Sequence, residues 1–470
     1  MAATGIRARG YGWKHASRST AALQDIDFDI QPGERVLLCG DSGSGKSTLV
    51  SAIAGVLGGD DEGQQSGSIM LYDAYGDTQQ PGRDVPVGLV LQDPDSQVVY
   101  GRVGDDVAFG CENLGLERDE IWCRVHHAVD LVGLEVGLDH PTDRLSGGQK
   151  QRLALAGVIA MGAGVLLLDE PTANLDPEGA AAVIDAVDRI VADTGATLIV
   201  VEHNAKPWQH VLNRAICLEH GTIVSEGPVA DVLATRPVPE FPEARQFPTD
   251  VLSTSALDAP ALKSDNLLTR WGPPRSYVLP RGASTVITGP NGVGKSTWLM
   301  TMGGLLKPRK GKVQVADDIR GAVKGAPHQW SSKDLATRIG FVFQNPEHSF
   351  IARSVREEME IGARVMGIDE DRAGIDKLLA SMRLEHVANA NPFTLSGGEK
   401  RRLSVAAALV AAPAVLLLDE PTYGQDPETF AELVRMLRTL ADAGTTIASV
   451  THDPLFIRAL GDHRVEVTND

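Results

Sequence analysis

A nine-residue run occurs twice in this chain, as GDSGSGKST at 40–48 and GPNGVGKST at 289–297. The lysines are 249 residues apart (295 minus 46), and four more landmarks repeat at nearly the same spacing. Gln92 in GLVLQDP matches Gln344 in GFVFQNP; LSGGQKQR from Leu145 matches LSGGEKRR from Leu395; VLLLDEPT starts at both Val165 and Val415; His203 in VVEH matches His452 in SVTH. Five landmarks in order and in register describe one domain written twice. A chain of 470 residues has room for two buried cores. The expected division is 1–235 and 263–470, joined by a linker at 236–262. That linker holds five prolines without hydrophobic periodicity, which reads as a semi-extended tether. Phe241 and Phe247 are the residues in it that could dock.

Each copy carries four short apolar runs that end abruptly in a polar residue. They are RVLLCG, VGLVLQ, VLLLDE and TLIVVEH in the first copy, and TVITG, IGFVFQ, VLLLDE and TIASVTH in the second. Runs so uniformly apolar suit strands buried on both faces of a parallel α/β sheet. Ligands of such sheets bind at the carboxyl ends of the strands, where these polar residues fall. One site per copy is expected.

The repeated run is G-x-x-x-x-G-K-[ST] between a strand and a helix. It lets backbone N–H groups wrap a triphosphate at a helix N-terminus, because glycines admit the backbone to hydrogen-bond distance. Gly40, Ser42, Gly43, Gly45 and Thr48 would form the cradle, with Lys46 on the terminal phosphates and Ser47 on a magnesium ion. Gly289, Asn291, Gly292, Gly294, Lys295, Ser296 and Thr297 repeat the set. Asp169 and Asp419 close apolar strands, where a carboxylate can hold the magnesium shell; Glu170 and Glu420 follow, placed to orient or deprotonate an attacking water. LSGGQ and LSGGE each open a helix and make a second anion-receiving N-terminus in the same copy. One phosphate group does not need two cradles from one domain, so the second is expected to face the other copy's nucleotide.

Bulk properties narrow the partners. Lys and Arg total 44 against 62 Asp and Glu, a formal charge of −18, which disfavours binding of a nucleic-acid backbone by the whole surface. Four cysteines without paired spacing read as reduced thiols of a cytosolic protein. Basic residues near the N-terminus precede no apolar core, so no secretory signal is expected. The longest apolar run, Val405 to Leu418, contains Pro413 and is too short for a span of roughly 20 residues.

In this order, the phosphate loop, the loop glutamine, LSGGQ, LLLDEPT and the terminal-strand histidine resemble the ATP-binding cassette (ABC) ATPases, over essentially the whole chain twice. The resemblance implies two tandem P-loop NTPase domains of α/β class, each a RecA-like parallel-sheet core with a helical subdomain, packed head to tail as an intrachain pseudo-dimer around two ATP and Mg²⁺. It implies that one site joins Lys46, Ser47, Gln92, Asp169, Glu170 and His203 to Ser396 and Gly398. The other joins Lys295, Ser296, Gln344, Asp419, Glu420 and His452 to Ser146 and Gly148. Gln92 and Gln344 would also touch the metal, and both sites are expected to hydrolyse ATP. Trp13 is placed to stack on adenine or to pack in the core, with Trp271 as its weaker counterpart.

The stretches QDPDSQVVYGRVGDDVAFGCENLG and QNPEHSFIARSVREEMEIGARVMG are similar to the ATPases of energy-coupling factor (ECF) importers. These take up vitamins or transition-metal ions with membrane-embedded T (scaffold) and S (substrate-binding) components. The resemblance implies a peripheral position on the inner face of the plasma membrane. Asp105, Asp106, Glu357, Glu358 and Glu360 would either meet basic coupling helices of a T component or simply begin solvated helices. A tandem ATPase of a monosaccharide importer, or a soluble factor acting on ribosomes or DNA, is the alternative. Two departures from symmetry stand out. Gln425 replaces Leu175, and the second copy stops 18 residues after His452, without the hairpin HGTIVSEGP of the first.

Overall fold

The computed structural model describes residues 3–16, 20–41, 43–57, 63–73, 75–82, 85–173, 175–202, 205–235, 241–244, 260–367, 372–422 and 427–468. The chain forms two compact units, Met1–Val238 and Pro239–Asp470. All eight apolar runs are strands, because β-branched and leucine side chains filling both faces leave the backbone no solvent to bond and drive it into a ladder.

In the first unit the order across the main sheet is Thr222–Pro228, Arg214–Glu219, Arg35–Gly40, Thr197–Val201, Val165–Asp169, Val87–Val90. The five strands from Arg214–Glu219 onward run parallel. Thr222–Pro228 returns antiparallel as the hairpin expected from HGTIVSEGP. A four-stranded antiparallel sheet built on Gly5–His15 forms a second layer. The helices Val103–Asn113 and Arg118–Leu131 join Gly147–Ala160 around Leu153, Val125 and Val107, which are buried together.

The second unit repeats the plan with a five-stranded, wholly parallel sheet ordered Ile339–Val342, Val415–Asp419, Thr446–Val450, Ser284–Thr288, His463–Glu466. A three-stranded antiparallel sheet lies on Leu262–Leu268. Within the expected tether, residues 241–244 pack onto this unit. Phe241 meets Phe430 edge to face with centroids 5.3 Å apart, and the Ala244 N–H donates to the Arg458 carbonyl at 2.9 Å. An aromatic ring buries too much apolar area to be left in water beside a receptive helix. Phe247 lies outside the described residues.

Candidate functional site

Both phosphate loops lead from a central strand into a helix that begins at the lysine, Lys46–Ala54 and Lys295–Met302. Gly40 and Gly289 take φ of 149° and 139°, and a Cβ on either would sit 2.2 Å from a carbonyl oxygen, that of Leu218 or Val467. Only glycine fits there, so the backbone can fold into a hollow lined by N–H groups. The Lys46 ammonium spans the hollow, donating to the carbonyls of Gly40 (2.9 Å) and Asp41 (2.8 Å). Lys295 does the same to Gly289 (2.7 Å) and Pro290 (2.9 Å). Two nearly buried cations tied to their own loops are poised for an anion. Ser42 lies outside the described residues.

In each unit the two carboxylates close one strand, Val165–Asp169 or Val415–Asp419. Glu170 and Glu420 both adopt the left-handed region, with φ of 49° and 45°, although neither is glycine. Each holds its N–H on the last residue of the adjacent strand, Val201 at 2.9 Å or Val450 at 3.0 Å. Such strain costs on the order of 1–3 kcal/mol and persists where surrounding structure enforces it.

Around this shared frame the side chains are joined differently. In the first unit, the Gln92 amide donates to Glu170 Oε2 at 2.7 Å, and Ser47 is exposed. In the second, Ser296 Oγ donates to Asp419 Oδ1 at 2.9 Å, Gln344 is exposed, and His452 Nε2 lies 3.7 Å from Glu420 Oε1. Burial, together with the neighbouring Asp419, pushes the Glu420 carboxyl up to about 8, against the pull of Lys295. Burial likewise raises Asp419, opposed chiefly by its bond from Ser296. The partner expected for Glu170, His203, lies outside the described residues, as does Gln425.

The Ser-Gly-Gly turns open the helices Gly147–Ala160 and Gly397–Leu409. Each serine is an N-cap in a capping box with residue 149 or 399. Ser396 Oγ donates to Glu399 Oε2 at 2.8 Å, whereas the first unit has the neutral Gln149. Hydrogen bonds from Ser396 and from His386 hold the Glu399 carboxyl below its usual range in spite of its burial.

Three readings of the sequence change. Trp13 is 2% exposed in the core, so its ring has no open face for a base. Its Nε1–H instead donates to His15 Nδ1 at 3.2 Å, and His15 Nε2 sits 3.5 Å from Thr48 Oγ1, at the first phosphate-loop helix. Trp271, ranked the weaker of the pair, is 58% exposed, and a Cβ on loop residue Gly294 would lie 3.6 Å from its Cβ. Finally, three of the five acids named for partner contact are committed to their own chain. Asp106 accepts from the N–H groups of Val99 (2.7 Å) and Tyr100 (2.8 Å). Glu358 accepts from Ile351 (2.9 Å) and Ala352 (2.8 Å), and Glu357 from Arg353 (3.0 Å).

Other residues of the site escaped the sequence reading. Glu202, 5% exposed, accepts from Thr172 N–H at 3.1 Å and its hydroxyl at 2.5 Å, tying the end of one strand to the turn after Glu170. Its counterpart is Thr451. The signal was a lone acid ending an apolar run, TLIVVE, masked by the histidine beside it. Arg401, 1% exposed, stands where the first copy has Gln151.

A hollow that no Cβ could share, a lysine across it and a serine on a strand-end aspartate form a donor set that fits a triphosphate and its hard divalent cation. Among the described residues no group of three or more His, Cys, Asp and Glu that could hold a metal ion is present.

The family "ABC transporter" matches residues 23–173 and 274–423. The chain is 32% identical to the Bacillus subtilis protein named "Putative HMP/thiamine import ATP-binding protein YkoD", over 94% of this chain and 85% of that one. It is 30% identical to an ABC transporter ATP-binding protein of Methanosarcina acetivorans, over 95% and 82% of the two chains. Among solved structures, it superposes on ribosome-bound archaeal ABCE1 with a TM-score of 0.66 at 20% identity, covering 97% of this chain and 76% of that one, which is a likeness of fold.

Proposed function

Since the chain belongs to the ABC transporter family, with two ATPase domains of that family in one polypeptide, we propose that it is the energy-coupling ATPase of an ECF-type importer of a vitamin, a related micronutrient or a transition-metal ion. The observation that carries this reading is the pairing, in each unit, of a phosphate loop bridged by its own lysine with a strained strand-end glutamate, in a chain similar along 94% of its length to a protein named for HMP/thiamine import. Among the described residues no helix is long and apolar enough to cross a membrane, so the spanning parts are assigned to separate T and S components. The chain then works in the cytoplasm, on the inner face of the plasma membrane.

In this scheme Lys46 and Lys295 exchange their loop carbonyls for the terminal phosphates, and Ser47 with Asp169, or Ser296 with Asp419, holds Mg²⁺. Mg²⁺ when bound offsets phosphate charge and orients the substrate. Glu170 and Glu420 each position a water and draw its proton, with His203 and His452 beside them. Ser146 with Gly148, and Ser396 with Gly398, present helix N-termini to nucleotide phosphate, and loss of phosphate after hydrolysis releases them. Gln92 and Gln344 report nucleotide state to the membrane components.

The test is isolation of the tagged chain from gently solubilised membranes in the presence of ATP. Co-purification of a multispan subunit, together with ATPase activity stimulated by a reconstituted partner, is expected. Recovery with ribosomal subunits and no membrane protein would reject the transporter assignment.

A further inference from the structure

The two Ser-Gly-Gly helices differ at the residue that lies under the glutamine loop. In the first unit that residue is Gln151, 1% exposed, whose Nε2 is 3.5 Å from the Leu91 carbonyl. In the second it is Arg401, also 1% exposed, whose Nη1 donates to the Phe343 carbonyl at 2.6 Å and Nη2 to the Gln344 carbonyl at 2.5 Å. Leu91 and Gln92 are the counterparts of Phe343 and Gln344. From this helix the first loop receives one long contact from a neutral amide, its main chain being held by Gln97, whose Oε1 accepts from Leu91 N–H at 2.8 Å and whose Nε2 donates to the Leu89 carbonyl at 3.0 Å; the second receives a forked pair of short, charge-assisted bonds to consecutive peptide groups.

A guanidinium stays ionised at every pH at which a protein folds, and burying one costs several kcal/mol unless its donors are matched. The two carbonyls match part of this cation. The strand-end carboxyls are close enough for it to oppose the rise that burial imposes on Asp419 and Glu420. A planar fork on two successive carbonyls also fixes the rotation of the peptide between them, which a single amide contact does not. The fork therefore clamps the main chain where the strand Ile339–Val342 ends and Gln344 begins the loop.

We propose that Arg401 is a positioning residue of the second ATP site: it clamps the main chain of the glutamine loop and so sets where Gln344 is presented, while the first loop is held instead by the neutral amide of Gln97 from within its own turn. The inference rests on Gln344 serving the second site, as assigned above. It makes the two sites unequal through a pair of residues that touch neither nucleotide.

The experiment uses the full-length chain carrying Glu170→Gln, so that turnover reads the second site. In that background Arg401→Gln is expected to lower kcat about tenfold, with KM for ATP changed less than about twofold. Arg401→Lys, which keeps the charge, should recover part of the loss. Arg401→Gln combined with Gln344→Ala should be no slower than Gln344→Ala alone, because the clamp acts only through that residue. Amide hydrogen exchange across 339–351 should accelerate about tenfold in Arg401→Gln, with the strands Val415–Asp419 and Thr446–Val450 unaffected. Unchanged kcat and unchanged exchange would overturn the proposal, and so would losses that add in the double variant. Full turnover in Gln344→Ala would instead remove that glutamine from the site; faster exchange would then keep the clamp and unchanged exchange would discard it. If Arg401→Gln unfolds, Arg401→Lys is read for the same two quantities.

Discussion

The two phosphate loops fold alike, yet their catalytic surroundings are joined differently. In the first unit the loop glutamine is bonded to Glu170; in the second the loop serine is bonded to Asp419. The residues that repeat in the sequence do not account for the difference. Nearby positions that do not repeat are Arg401 against Gln151, Thr451 against Glu202 and Glu399 against Gln149. The duplicated motif thus fixes the backbone of each phosphate loop, while the side chains around it are bonded differently in the two units.

The strongest way to break this contrast is at the glutamates. Glu170→Gln with Glu420→Gln should reduce ATP turnover by about a thousandfold, the middle of the range for loss of a general base, without abolishing ATP binding. The single variants carry the comparison: unequal losses in steady-state turnover give each site its share. Equal losses would mean that the different joining of the two sites has no kinetic consequence, and near-normal turnover in the double variant would remove both residues from catalysis.

The loops should respond alike where the backbone demands it. Gly40→Ala and Gly289→Ala each drive a methyl to within 2.2 Å of a carbonyl in a left-handed conformation. Each should destabilise its unit by about 3 kcal/mol or more, read by calorimetry. Gly43 and Gly292 also have positive φ, but open space around them, so alanine there should cost only about 1 kcal/mol. A similar loss at all four positions would show that strain, not crowding, governs the loop.

These loops were legible because their chemistry is local: glycine spacing, a lysine and a strand before a helix are all read within ten residues. The eight strands were legible for a related reason, since burial on both faces leaves uniformly apolar runs. What remained hidden depends on residues far apart in sequence. Nothing near Trp13 indicates that the core takes its ring and leaves His15 at the loop. Nothing near Glu358 indicates that its carboxylate folds back onto Ile351 and Ala352. The fork of Arg401 joins residues 57 and 58 positions away, and basic residues in a helix read as solvated by default. The reverse also occurred: Gly33 and Gly282 donate to Thr197 and Thr446 at 2.8 and 2.9 Å, a repeated bond that no motif announces.

Glu202 gives a smaller test of the asymmetry. Replacing it with Ala leaves Thr172 N–H and hydroxyl without their shared acceptor, which should cost the first unit about 1–2 kcal/mol. Thr451→Ala should cost the second unit less, because Thr451 Oγ1 accepts one N–H, from Asp453 at 3.1 Å. Equal losses in the two units, measured by chemical denaturation, would show that the buried acid adds nothing a threonine does not.

A last test is set by pH. In the folded second unit the Glu420 carboxyl is raised from 4.5 to about 8. Between those values the folded chain binds a proton that the unfolded chain has released. By linkage, this group's contribution to stability is present below the unfolded value and is lost as pH rises through the folded one. The second unit should therefore melt at a lower temperature at pH 8.5 than at pH 5.5 on account of this carboxyl. Glu420→Gln carries no titrating proton, so its melting temperature should fall less over the same range, by about 2 °C for each kcal/mol relieved. Calorimetry at the two pH values decides the matter: parallel shifts in parent and variant would mean that Glu420 is ionised in the folded state at neutral pH. It would then stand ready as a base before any nucleotide binds, and burial would not be what holds it back.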